Sequence, residues 1–157
     1  MGGELRRHGA LNDMAAAVLD ASLVALLGVV TVSDLRTRLV PDRIMLGGLL
    51  VAIPVCLISD PGAVPGRLLA CVSAGGFLLA AALIRPDGMG LGDVKLAAVL
   101  GFYLGAGVIE AMVISFAAGS VAGLALLVRH GWRARTRTIP FVPFLALGTL
   151  VAIASRL

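Results

Sequence analysis

The chain has 157 residues, 59% of them hydrophobic and 14% charged, with a mean hydropathy of +1.03 and a formal net charge of +4. Soluble domains carry about 25% charged residues, so there is too little polar surface here to coat a water-soluble globule. The expected fold is all-α, a polytopic integral membrane bundle of about six transmembrane helices, with the lipid bilayer as surroundings and no nucleic-acid partner.

A short polar tail, residues 1–13, leads into a membrane-embedded domain at 14–157. Apolar segments run Met14–Ser33, Ile44–Ile58, Leu68–Ile84, Val94–Gly107, Val108–Val128 and Ile139–Ser155. A helix needs about 20 residues to cross about 30 Å of hydrocarbon, and roughly 17 at the least. The first and fifth segments meet this, and the third and sixth just reach the lower limit. The second does so by borrowing flanking residues such as Pro41, and the fourth falls short. The first segment reads as a retained span rather than a cleaved signal. Asp20 interrupts it, and it is longer than a signal core of about 7–15 residues.

Polar loops separate these spans: DLRTRLVPDR (34–43), SDPGAVPGR (59–67), RPDGMGLGD (85–93) and RHGWRARTRT (129–138). The alternate loops 34–43, 85–95 and 129–138 hold nine of the thirteen lysines and arginines. The excess of positive charge places these loops in the cytoplasm and both termini outside. Arg6 and Arg7 pull the other way but are outvoted. The arginines of 129–138 read as topology determinants that also contact anionic lipid. Cys56 and Cys71 both lie in apolar runs, form no CxxC pair and have no neighbouring histidine, so they read as small apolar residues. Neither a metal nor a cofactor is expected.

Two carboxylates fall at the cytoplasmic ends of spans. Asp34 closes the first, in VTVSDLRTR, and Asp93 opens the fourth, in GMGLGDVK. Asp20 lies 14 residues before Asp34, about 21 Å away along a helix, and Asp60 and Glu110 fall on the outer side. Alone, Asp34 reads as a solvated helix end. Asp93 is harder to dismiss, because Gly88, Gly90 and Gly92 alternate before it and glycine admits conformations and close approaches closed to other residues. From Asp93 to Gly107 a helix spans only roughly 22 Å of a core about 30 Å thick. The expectation is therefore that GMGLGD forms a dipped, non-helical segment holding Asp93 below the inner surface. Irregular backbone at that depth is tolerated where protein buries it or water reaches it. Two converging aspartates suit peptide hydrolysis without metal or covalent nucleophile: one activates a water as general base, while the other, protonated, polarises the carbonyl.

The pattern resembles the type IV prepilin peptidases, membrane aspartic proteases whose Gly-x-Gly-Asp-x-Lys motif appears as Gly90, Gly92, Asp93 and Lys95. That family's other aspartate, followed by basic residues and an Ile-Pro-Asn turn, matches Asp34, Leu35, Arg36 and then Val40, Pro41, Asp42. IPFVPFLALG (139–148) is similar to the Ile-Pro-Phe-Gly-Pro segment that closes these proteins. Two departures stand out: Asp42 replaces the usual Asn, and Val142 the usual Gly. The resemblance implies catalysis by Asp34 and Asp93, with Gly90, Gly92, Lys95, Pro41 and Asp42 in support. Asp42 fits either a favourable place in the first turn of the second helix or a perturbation of the dyad. Lys95 fits either an interfacial anchor or a tuning cation. The implied substrate is a prepilin or pseudopilin with a short basic leader, cut after a glycine before its apolar helix. The short N-terminus and missing CxxC pairs resemble the peptidase-only form found with Flp-type (tight-adherence) pili. The implied location is the bacterial inner membrane, multi-pass, with the active site facing the cytoplasm. The rival readings are a presenilin-like intramembrane protease, a small proton-coupled transporter using Asp20, Asp34 and Glu110, and an inactive pilus-assembly factor.

Overall fold

The structure is a computed structural model that describes residues 2–37, 40–84, 90–130 and 140–156. Six α-helices occupy them: α1 (Gly2–Thr37), α2 (Asp42–Ser59), α3 (Val64–Ile84), α4 (Leu91–Leu104), α5 (Val108–His130) and α6 (Val142–Ala154). Short 3-10 turns at Pro61–Ala63 and Gly105–Gly107 join α2 to α3 and α4 to α5. Four segments are long and apolar enough to cross a membrane: Gly9–Thr37, Asp42–Ser59, Pro61–Ile84 and Leu91–Arg129. The chain is thus an all-α polytopic membrane protein, as its composition demanded. Apolar side chains such as Leu69, Val72, Ile84, Ile109 and Val128 point outward, toward lipid in such a protein.

The Leu91–Arg129 segment is not one span. Gly105 takes φ +57°, ψ −133°, a conformation open to glycine and strained for other residues. Beyond it α5 turns back along α3, so that Phe77 meets Phe116 edge to face with centroids 6.0 Å apart. The turn leaves the last carbonyls of α4 without helical partners. Arg67 of α3 donates to the carbonyls of Phe102 and Tyr103, and Arg156 beyond α6 to that of Leu104. These arginines lie at the end of the bundle opposite Asp34 and Asp93. α6 is apolar but only 13 residues long.

Neighbouring helices pack antiparallel through small residues, since lipid tails supply no hydrophobic drive and close packing must. In α3 and α4, Gly75 faces Ala98, and Gly101 lies against the backbone of Ala70 and Cys71. In α5 and α6, Gly148 lies against Ala111 and Ser115. Tyr103 joins three helices: its hydroxyl donates to the Gly48 carbonyl of α2 (2.7 Å) and accepts from Ser22 Oγ of α1 (3.2 Å). Leu23, Val30, Leu78, Leu96, Leu100, Val142 and Leu145 fill the core. The alternation of direction brings the end of α1 and the starts of α2 and α4 to one end of the bundle.

Candidate active site

Asp34 sits in the last turn of α1 and is only 7% exposed, the one buried charged side chain among the described residues. The chain re-enters at Val40 and Pro41. Pro41 is extended (φ −69°, ψ 121°), and its carbonyl accepts from the Ile44 amide at 3.1 Å, which starts α2 at Asp42. Proline's fixed φ suits this entry, and a carboxylate in the first turn is favoured by the unpaired amides there.

At α4 the outcome differs from the expectation of a non-helical GMGLGD. Gly90 is extended (φ −76°, ψ 144°), and its carbonyl accepts from the Asp93 amide at 3.1 Å. Leu91, Gly92 and Asp93 therefore form the first helical turn. One extended residue suffices to start a helix, and an acidic residue in the first turn supports it. Gly88 lies outside the described residues. Gly92 does not use positive φ, which among the described residues belongs to Gly105 alone. What it provides is space: a Cβ on residue 92 would come within 3.0 Å of Val40 Cβ and Cγ2. Gly90 is less confined, with its nearest neighbour, Asp93 Oδ2, at 3.8 Å from the same added atom.

Asp93 is half-buried, and α4, which it opens, is in contact with α1, which carries Asp34. Beside them Lys95 Nζ lies 2.8 Å from both carboxylate oxygens of Asp42, an exposed ion pair joining the start of α4 to the start of α2. The structure thus gathers Asp34, Pro41, Asp42, Gly90, Gly92, Asp93 and Lys95 at one end.

The other carboxylates go elsewhere. Asp20 is half-buried partway along α1, Asp60 accepts from the Ala63 amide at 3.2 Å, and exposed Glu110 accepts from Ser155 Oγ at 3.1 Å. Asp60 and Glu110 occupy the far end of the bundle, so the Asp20, Asp34 and Glu110 trio forms no cluster. Val142 is fully buried, and Phe141 beside it packs on Phe116 with centroids 5.3 Å apart. Among the described residues no group of three or more His, Cys, Asp or Glu could hold a metal ion.

Three features escaped the reading of the sequence: the Val40–Gly92 contact, the pairing of Asp42 with Lys95, and the Tyr103 tie. Only the second left a signal, in that an extra carboxylate and the chain's single lysine both flank the aspartate motifs. In general, two carboxylates brought within a few ångströms of each other resist joint ionisation. Such a pair can hold one proton between them and serve acid and base roles together.

Residues 21–128 match the type IV leader peptidase family, and the chain belongs to that family. It is 34% identical over 147 residues to the prepilin leader peptidase/N-methyltransferase of Bacillus subtilis, covering 93% of this chain and 58% of that protein. Proteins of the same name from Xanthomonas campestris (36% over 138 residues, 84% of this chain and 46% of theirs) and Aeromonas hydrophila (32% over 148 residues, 90% and 49%) are also similar. The chain therefore spans about half the length of these curated relatives. No solved structure matches it.

Proposed function

We propose that the chain is an aspartic endopeptidase that removes the short basic leader from prepilin-like substrates, Flp pilins or pseudopilins among them, with Asp34 and Asp93 as its catalytic pair. The observation that carries this is a buried Asp34 at the end of α1 and a half-buried Asp93 at the start of α4, on helices in contact at one end of a membrane bundle, in a chain of the leader peptidase family.

In the proposed reaction one carboxylate takes a proton from a water held between the pair. The water oxygen attacks the scissile carbonyl carbon, while the other, protonated carboxyl gives its proton to the carbonyl oxygen. The tetrahedral diol then collapses, the C–N bond breaks, and the new amine takes up a proton from the pair. Two carboxyls sharing one proton fit both roles. Burial of Asp34 helps keep water from solvating the charge that develops, which strengthens electrostatic stabilisation.

The reading places the site at the cytoplasmic face of a bacterial inner membrane, supported by the concentration of Arg and Lys in the loops at that end. A substrate whose leader lies in the cytoplasm and whose apolar helix enters the bilayer would present its scissile bond at this depth. For these 157 residues the proposed activity is hydrolysis alone, because no CxxC pair occurs in them. The test is to incubate the purified protein in detergent or liposomes with a leader peptide fused to an apolar helix. A single cut after the glycine that precedes the helix is expected. No cut, or cuts spread within the helix as for a presenilin-like protease, would refute it.

A further inference from the structure

We infer that Asp42 and Lys95 form a positioning latch, which holds the start of α2 against the start of α4 and so sets the geometry of Asp34 and Asp93. The inference rests on the catalytic role proposed for those two aspartates. Its ground is the placement of the pair. Asp34 stands eight residues before Asp42 in the chain, and Asp93 stands two before Lys95. Lys95 Nζ is 2.8 Å from each Asp42 oxygen, so the pair ties α4, which carries Asp93, to the start of α2, which follows the Asp34 end of α1 in the chain. Val40 also meets Gly92 beside this pair, and that contact is a steric stop that prevents approach but not separation. An attractive contact is needed to oppose separation, and the ion pair supplies one.

Both partners are exposed, at 53% and 69% of their side-chain surface, and exposed ion pairs add little to fold stability. The latch therefore acts on position rather than on folding. It also gives a use for the aspartate that stands where the resembling family has Asn: at this site it is the anion that Lys95 meets. Other charged side chains at this end, among the described residues, are Arg36, Arg43 and Arg129, all exposed. They are free to reorient, whereas Lys95 is bonded to both Asp42 oxygens.

The experiment uses the full chain with Cys56 and Cys71 replaced by Ala, and the leader-peptide cleavage assay. Lys95→Met and Asp42→Ala should each lower kcat about 10-fold with KM within about twofold, since misplacement of about 1 Å costs about 100-fold. The double variant should lose no more than the worse single one, because both remove one interaction. Lys95→Arg should keep at least half the rate, and the melting temperature should not move. The deciding arm is Asp42→Cys with Lys95→Cys, which should lose rate and regain it when a short thiol-reactive bridge joins the two sulfurs. Additive losses, a melting temperature that falls in step with kcat, or no recovery on bridging would overturn the latch. Asp34→Asn and Asp93→Asn are run beside these variants. If they still cleave, the catalytic assignment itself has failed; if they are dead while the latch variants run at the native rate, only the latch has failed.

Discussion

Gly92 packs against Val40 so closely that a Cβ on residue 92 would lie 3.0 Å from the valine's Cβ and Cγ2. One residue further on is Asp93. A Cβ at 92 requires Val40 to give by a few tenths of an ångström, and Val40 lies between the helix of Asp34 and α2 while residue 92 stands in the first turn of α4 beside Asp93. Gly92→Ala is expected to reduce cleavage about 10-fold and Gly92→Val at least about 100-fold, the second adding a stiff branched side chain. Val40→Ala should restore part of the Gly92→Ala loss, because it removes Cγ2, one of the two Val40 atoms that the new methyl meets, while Cβ stays. Equal rates for the native, Gly92→Ala and Gly92→Val enzymes would show that the contact does not govern the site.

The aspartates give the most direct prediction. Asp34→Asn and Asp93→Asn keep the side-chain shape and remove ionisation, so each should abolish cleavage while the protein still inserts and melts normally. Asp20→Asn and Glu110→Gln alter carboxylates away from the site and should keep most of the rate. An active Asp34→Asn enzyme would move the assignment to Asp42.

How much of this was legible in the sequence depends on the kind of interaction. Six apolar stretches were visible because a bilayer demands long runs of one chemistry, and the helices follow them with boundary shifts of a few residues, except that α1 starts at Gly2, within the expected polar tail and well before the apolar run at Met14. Asp34 and Asp93 were legible because charge is costly near a membrane interior and each sits at a span's end. The first turn of α4 was misread. Glycine alternation suggested irregular backbone, yet a helix start requires only one extended residue, and Gly90 provides it. What Gly92 provides in the structure is clearance for Val40, invisible in the sequence without knowing that Val40 lies opposite. The Asp42–Lys95 pair joins residues 53 apart in sequence; an extra carboxylate and a lone lysine beside the aspartate motifs hinted at the residues but not at their pairing.

A third prediction concerns methyl transfer. The relatives' names include N-methyltransferase, while these 157 residues contain no CxxC pair. Substrate processed by the purified chain should carry a free α-amino group even with S-adenosylmethionine supplied, and chelators should leave the cleavage rate unchanged. Mass spectrometry decides: one added methyl group on the product would defeat the expectation.

The last prediction separates packing from catalysis. Gly101 is buried where α4 crosses α3, and a Cβ there would lie 2.7 Å from the carbonyl carbon of Ala70 and from Cys71 Cα. Those are backbone atoms, which cannot swing aside as a side-chain tip can. The helices must separate, and in lipid nothing but packing and a few hydrogen bonds holds them together. Gly76, on α3, offers the control, because nothing lies within 4 Å of its added Cβ. Gly101→Ala should destabilise by about 1–3 kcal/mol, the usual cost of overpacking. Gly76→Ala should be neutral or slightly stabilising, since alanine favours helix by up to about 1 kcal/mol. Apparent melting temperature in one detergent, read beside the rate per folded molecule, checks both. Gly101→Ala should melt several degrees lower, and Gly76→Ala at or above the native value. If the two variants melt alike, the α3–α4 crossing is looser than the close approach at Gly101 requires.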